Sequence, residues 1–266
     1  MSTNTPGLPG TPTSPLADAL PRRRADDTPS GMRPDIQGQD LVARMAHELR
    51  TPLSVAREYV DLVRDGFVGE LNPDQSSYLE IAEQNLDYLT GVIDDMLDLA
   101  RIDSGAGLKL DLQHGRVPVI LEEVVTLLRR KCETVDIKLT RDSGSDMPPV
   151  LVEPRRVKRV LKNLLGNAIK FTPPGGRIHL EVLNQPEAER VWVAVCDTGY
   201  GIAREDHEVI FDPFQQLPGP DGEEGKGSGL GLTIARGIAR AHGGDITVDS
   251  AGEGSGSTFA VRLPLG

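Results

Sequence analysis

Apolar residues recur along the chain in two rhythms, one helical and one alternating, and the change between them falls near residue 103. From about 39 to 68, a wheel at 100° per residue gathers Leu41, Val42, Leu49, Pro52, Leu53, Ala56, Tyr59, Val60, Val63 and Phe67 on one stripe. The loop GFVGEL follows, and NPDQ then offers Asn72 as an N-cap with Pro73 at the first helical position, predicting a second helix to about 103. Its Tyr78, Ala82, Asn85, Leu89, Val92, Met96 and Leu99 or Ala100 fall near heptad positions. An isolated pair of antiparallel helices cannot cover stripes this long, so the pattern predicts a homodimer in which two hairpins form a four-helix bundle.

Beyond Asp103 the rhythm changes. SGAG breaks the helix, and Leu108, Leu110 and Leu112 alternate as a short strand. A helix is expected from about Pro118 to Lys131, a strand near Asp136 to Thr140, a helix over 154–170, and strands over 177–183 and 191–196. A glycine-rich region, a helix from about 229 to 241 and strands over 245–250 and 257–263 complete the chain. Strands and helices mix without strict βαβ alternation, which fits a mixed sheet with one face covered by helices. The expected fold class is thus α + α/β, a helical hairpin over 39–106 followed by an α/β sandwich over 107–266. Residues 1–38 hold seven prolines and few large apolar side chains, the composition of a disordered tail. Their RRR run reads as solvated charge, with a docking peptide as the less favoured alternative. No repeat of 20 to 50 residues is present.

Composition narrows the function classes. Aromatics make up 4% of the 266 residues and the net charge is −11, which argues against a nucleic-acid surface or an anionic membrane and favours a basic partner face. Cys132 and Cys196 are far apart and form no metal-binding spacing, so a disulfide scaffold or zinc site is not expected and a reducing cytosol is. No window approaches the ~20 apolar residues of a membrane span, and the N-terminus lacks the pattern of a signal peptide. A soluble, cytoplasmic protein is the expectation.

Against that background MAHELRTPL, Met45 to Leu53, stands out. His47 lies about 200° from Met45, opposite the apolar stripe, on a face shared with Arg50, Thr51, Ser54, Arg57 and Asp61. A core role is therefore disfavoured, and no ligand sits at i+4 to share a metal. A solvated histidine and a reactive imidazole remain. Glu48, about 100° around the helix, can approach one ring nitrogen and take its proton as the other attacks. Thr51 sits ~6 Å along the axis on the same side, and Pro52 removes the N–H that would bond to the Glu48 carbonyl. The nonapeptide resembles the phosphoacceptor box of sensor histidine kinases.

A second constellation lies downstream. In RVLKNLLGNAIKFT, Val157, Val160, Leu161, Leu164, Leu165 and Ala168 form a buried stripe, with Asn163, Asn167 and Lys170 together on its flank. Two amides and an amine beside a core need a polar partner, and hydrated Mg²⁺ with phosphates would supply one; plain solvent is the alternative. In VWVAVCDTGYGI, a strand ends at Asp197 in a turn with Gly199 and Gly201. An acceptor fixed there can take a hydrogen bond from an adenine amino group. FDPFQQ precedes LPGPDGEEGK, which has the composition of a mobile lid. GSGLGL closes it, with Gly227, Gly229 and Gly231 opening a helix whose N-terminal N–H groups can hold phosphate oxygens. A P-loop reading fails because Pro220 and Gly227 occupy its required glycine and hydroxyl positions. A Rossmann reading fails because no strand leads directly into these glycines.

The four segments in this order resemble the N, G1, F and G2 boxes of the Bergerat (GHKL) ATP-binding domain shared by histidine kinases, Hsp90-type chaperones, type II topoisomerases and MutL. The resemblance implies that Asn167 ligates Mg²⁺, that Asn163 and Lys170 support the phosphates of ATP, and that Asp197 reads adenine. It also implies that the glycines form turn and lid hinges and that a basic lid residue, Lys226 here, contacts phosphate. Whether the Tyr200 ring stacks over the nucleotide stays open. By resemblance the protein is an ATP-dependent histidine kinase that phosphorylates His47 and passes the phosphoryl group to an aspartate of a response regulator, with Glu48 and Thr51 able to orient water for dephosphorylating that regulator. A serine/threonine kinase of the anti-sigma type and a nucleotide-binding pseudokinase scaffold are the rivals. The HELRTP hairpin argues against the first, and label transfer to His47 discriminates the second. No sensor domain is legible, and the expected routes for the signal are the tail, a separate sensor or regulatory protein on the bundle, and lid dynamics, among which the sequence does not choose.

Overall fold

The structure, a computed structural model, describes residues 36–103, 108–142, 147–217 and 227–265. The Pro-rich tail up to residue 35, the SGAG breaker and Lys226 lie outside the described residues.

Helix α1 (Ile36–Arg64) carries Pro52 within it, and helix α2 (Pro73–Asp103) returns antiparallel alongside. The apolar stripe runs on to Phe67, yet α1 ends at Arg64, where Gly66 N–H donates to Val63 O and Phe67 N–H to Leu62 O to close a turn. At the start of α2, Asn72 Oδ1 accepts from Gln75 N–H at 2.8 Å while Gln75 Oε1 accepts from Asn72 N–H at 2.9 Å, a reciprocal cap. Arginines on α1 meet acids on α2: Arg50 with Asp94 at 2.6 Å, Arg57 with Asp87, and Arg64 with Glu83. Exposed pairs contribute about 0–1 kcal/mol each, so they fix register more than stability. Ala46, Ile93 and Leu99 are buried, whereas Leu49, Tyr59, Phe67, Tyr78, Leu89 and Met96 remain exposed in the single chain.

The alternation of Leu108, Leu110 and Leu112 does not make a strand. Leu108 and Leu110 instead pack into the core as irregular chain, and the strand β1 (Gln113–Gly115) follows them. It pairs antiparallel with β3 (Val150–Val152), a strand the sequence reading missed. Then come α3 (Val117–Thr134), β2 (Lys138–Arg141), α4 (Pro154–Phe171), β4 (Arg177–Gln185) and β5 (Arg190–Asp197). Helix α5 (Gly231–Ala241) and strands β6 (Asp245–Asp249) and β7 (Ser257–Pro264) complete the fold. The main sheet has the order β2-β4-β5-β7-β6, with β2 parallel to β4 and the other neighbours antiparallel.

Strand β5 shows how the layers are built. Val191, Val193 and Val195 enter the core beneath the helices, while Trp192 and Ala194 join Ala260 in a small cluster on the opposite face. The period-2 pleat makes this division obligatory. Helix α4 buries Val157, Val160, Leu161, Leu164, Leu165 and Ala168, the stripe read from the sequence. Burying five or six such side chains contributes on the order of 10 kcal/mol before entropy is counted. Among the described residues no helix is long and apolar enough to cross a membrane.

Candidate active site

Helix α4, the end of β5 and the start of α5 enclose a cavity of about 820 Å³. Asn163, Asn167 and Lys170 line it from α4, and Asp197, Tyr200 and Gly201 line it from the β5 turn. Gly227, Gly229 and Gly231 close the side at α5. Three segments distant in sequence thus converge because α4 and α5 pack on the same sheet face.

Asp197 is held from three directions. Its Oδ1 accepts from Gly199 N–H at 2.8 Å and Ser257 N–H at 3.3 Å, and its Oδ2 accepts from Ser257 Oγ at 2.6 Å. Burial pushes the carboxyl pKa up, and these hydrogen bonds oppose the shift without cancelling it. Ser257 belongs to the site but was not legible in the sequence; it reaches Asp197 only through the β5–β7 register that sets the two residues opposite one another. Gly201 has φ +71° and a Cβ there would collide with Gly252 O, so this corner of the turn requires glycine.

On α4 the three polar residues differ in role. Asn163 Nδ2 donates to Gly231 O at 2.9 Å, tying α4 to the first residue of α5. Asn167 makes no side-chain hydrogen bond among the described residues and faces the cavity. Lys170 Nζ lies 4.6 Å from the Phe171 ring centroid, and desolvation lowers its pKa, so an anion entering the cavity would meet a partly dehydrated cation. Helix α5 begins at Gly231, two residues later than the pattern indicates, because Gly229 takes φ +70° outside the helical region. Gln216 Nε2 donates to Gly227 O at 2.8 Å, linking FDPFQQ to this turn.

His47, Glu48 and Thr51 lie on α1, all exposed, and none of them lines the cavity. Thr51 Oγ1 donates to His47 O at 3.2 Å. Neither the His47 ring nor the Glu48 carboxylate makes a hydrogen bond among the described residues, so the pairing expected from sequence is not formed in this arrangement. The hairpin reaches the cavity elsewhere, through Tyr88 and Asp95 of α2, which the sequence did not single out. Neither carries a motif; helix–domain packing alone puts them there.

Residues 152–266 match the family described as histidine kinase-, DNA gyrase B-, and HSP90-like ATPase, and residues 38–105 match the His Kinase A (phospho-acceptor) domain. Histidine protein kinase DivJ of Caulobacter vibrioides is 33% identical, the alignment covering 85% of this chain and 37% of that protein. Adaptive-response sensory kinase SasA of a Synechococcus species is 35% identical over 85% of this chain and 59% of its own length. The chain therefore spans less than two thirds of the length of each of these relatives. Among solved structures, full-length ShkA in complex with AMPPNP superposes with a TM-score of 0.71 at 29% identity, covering 85% of this chain and 46% of that one. The nucleotide-free catalytic domain of histidine kinase ThkA gives 0.50 at 29% identity, covering 58% of this chain and 98% of that one.

Proposed function

The chain belongs to the sensor histidine kinases of two-component systems, and from that premise we propose that it uses ATP to phosphorylate His47 and passes the phosphoryl group to an aspartate of a response regulator. The observation that carries this reading is the presence, in one chain, of an exposed histidine in HELRTP on α1 and a cavity lined by Asn167, Lys170 and Asp197. Residues 39–106 then serve as the dimerisation and phosphotransfer domain, and 107–266 as the catalytic domain.

In this mechanism Asp197 accepts a hydrogen bond from the adenine amino group, its own geometry fixed by Ser257 and Gly199. Lys170 and the N–H groups at the start of α5 hold phosphate oxygens, and Lys226 of the lid adds a positive charge. One His47 nitrogen attacks the γ-phosphorus in line. The bond to the bridging β–γ oxygen breaks, ADP departs, and Glu48 takes the proton from the other ring nitrogen. Positioning and charge neutralisation supply most of the acceleration.

The residues present fit Mg²⁺. No group of three or more His, Cys, Asp or Glu able to cage a metal occurs among the described residues. Mg²⁺ characteristically rides with phosphates and waters on one or two protein oxygens, and the Asn167 side chain, without a hydrogen-bond partner among the described residues, offers one. The cation would neutralise charge on the phosphates.

Thr51 and Glu48 would also orient water for dephosphorylating the regulator, Thr51 first releasing the His47 carbonyl. Unchanged phosphatase turnover in a Thr51→Ala protein would remove that role. The principal test is incubation with γ-labelled ATP. Label that is acid-labile, alkali-stable and absent from His47→Gln is expected; acid-stable label, or label persisting in the variant, would overturn the assignment.

A further inference from the structure

Hairpin and sandwich meet at a cluster of four charged side chains that the proposed reaction does not use. Asp98 of α2 is 5% exposed, and its Oδ2 accepts from Arg156 at 3.0 Å and from Arg159. Arg159 also donates to Asp95, nearly one turn earlier on α2. Farther along, Ile102 packs so closely on α5 that a Cβ on Gly237 would strike its Cδ1. Both arginines belong to α4, where Arg159, Asn163 and Asn167 succeed one another at intervals of four along one flank.

Helix rise places Arg159 about 6 Å before Asn163 and about 12 Å before Asn167. The opposite end of α4 abuts the Asp197 turn, Tyr200 N–H donating to Phe171 O at 3.2 Å. A nucleotide with its base at Asp197 would extend its phosphates along α4 past Lys170 and Asn167 toward Asn163; Asp95 lines that cavity, and Arg159, which does not line it, borders it through its ion pair with Asp95.

We propose that Asp95 and Asp98 compete with the terminal phosphate of the nucleotide for Arg159, so that hairpin docking and triphosphate binding oppose each other. The proposal rests on the nucleotide reading above. A guanidinium fork matches carboxylate and phosphate alike. A carboxylate in the cavity wall also repels an arriving polyanion more strongly than it would in bulk water. Because Asp98 is buried, losing one of its arginines leaves a charge poorly solvated, and the cluster holds or releases as a unit. Linkage makes the effect reciprocal: the triphosphate weakens docking by the factor by which docking weakens the triphosphate. Nucleotide arrival thereby frees the catalytic domain, and reaching the same chain's His47, outside the cavity, requires that freedom.

The test compares the full chain with the double variant Asp95→Asn, Asp98→Asn and with Gly237→Leu, a wedge that separates α2 from α5 without changing charge. Calorimetry reads affinity for Mg·AMPPNP and Mg·ADP, small-angle scattering reads domain separation, and Trp192 fluorescence verifies folding. Both variants are expected to be expanded without nucleotide and to bind Mg·AMPPNP between about 5- and 150-fold more tightly than wild type. Wild type should expand with Mg·AMPPNP and much less with Mg·ADP. Variants that expand with unchanged or weaker Mg·AMPPNP affinity would overturn the competition, and variants as compact as wild type would overturn the clasp. If wild type and both variants bind neither nucleotide, the nucleotide reading itself fails and takes this proposal with it.

Discussion

Half-buried Asp197 and buried His242 are polar side chains with opposite duties. Asp197 presents a carboxylate whose donors all come from its own turn and from Ser257. Replacing it by Asn substitutes an N–H₂ for an acceptor facing either Ser257 or, in the proposed binding mode, the adenine. The loss of about 1–3 kcal/mol for an unpaired buried group predicts Mg·AMPPNP binding weakened by about 5- to 150-fold, measurable by calorimetry. His242 is a neutral clamp: Nδ1 donates to Ile238 O at 2.8 Å while Nε2 accepts from Glu153 N–H at 3.0 Å, joining the end of α5 to the start of α4. Burial lowers its pKa, so the unfolded chain binds the proton more readily. The stability this residue contributes is complete above the unfolded value near 6.5 and is lost as pH falls below it toward the lowered native value. Denaturant unfolding followed by Trp192 fluorescence should show that decline between about pH 7 and 5, and a flatter profile in His242→Gln. The bond to Ile238 O closes within one turn of α5, whereas the partner at Glu153 is supplied only by the tertiary packing that brings the two helix ends together.

At the scale of elements, local signals were most readable where the chain supplies its own partners. Asn72 announces the start of α2, and its reciprocal cap with Gln75 closes within four residues. Asn72→Ala should cost about 1 kcal/mol, seen as a lower denaturation midpoint of the hairpin by circular dichroism. Gly201 is a harder constraint, since its φ of +71° is strained for alanine and the added Cβ meets Gly252 O. Gly201→Ala should lose about 1–3 kcal/mol, read through Trp192, which is 5% exposed on β5. The misses have one cause. Strands β1 and β3 are three residues each and exist by pairing Gln113 with Val152 and Gly115 with Val150. Three residues are too few to show a period, whereas the leucine alternation just before them shows one without a partner strand.

For the whole molecule, the exposed apolar band on the hairpin is the feature a single chain leaves unresolved. Phe67 is 76% and Tyr78 71% exposed, and Leu49, Tyr59, Leu89 and Met96 continue the band. The phospho-acceptor domain family implies that a second copy covers it. Leu49→Glu combined with Leu89→Glu should shift sedimentation velocity from dimer to monomer, since each buried leucine contributes about 1.5–3 kcal/mol, while Trp192 emission stays native. At this scale too, the chain's own His47 lies outside the cavity, so the proposed phosphoryl transfer within one chain requires the catalytic domain to leave its seat on α2.

The hairpin, the helical stripe of α4, the central strand β5 and the order of chemical groups from His47 to Gly231 followed from sequence alone, because periodicity and turn chemistry act over a few residues. Tertiary structure alone decided which of those groups share a cavity, that Ser257 orients Asp197, and that Asp95 and Asp98 reach across to Arg156 and Arg159. Those relations depend on sheet register and on the packing of one helix upon another, which join residues too far apart in the chain for any local pattern to encode.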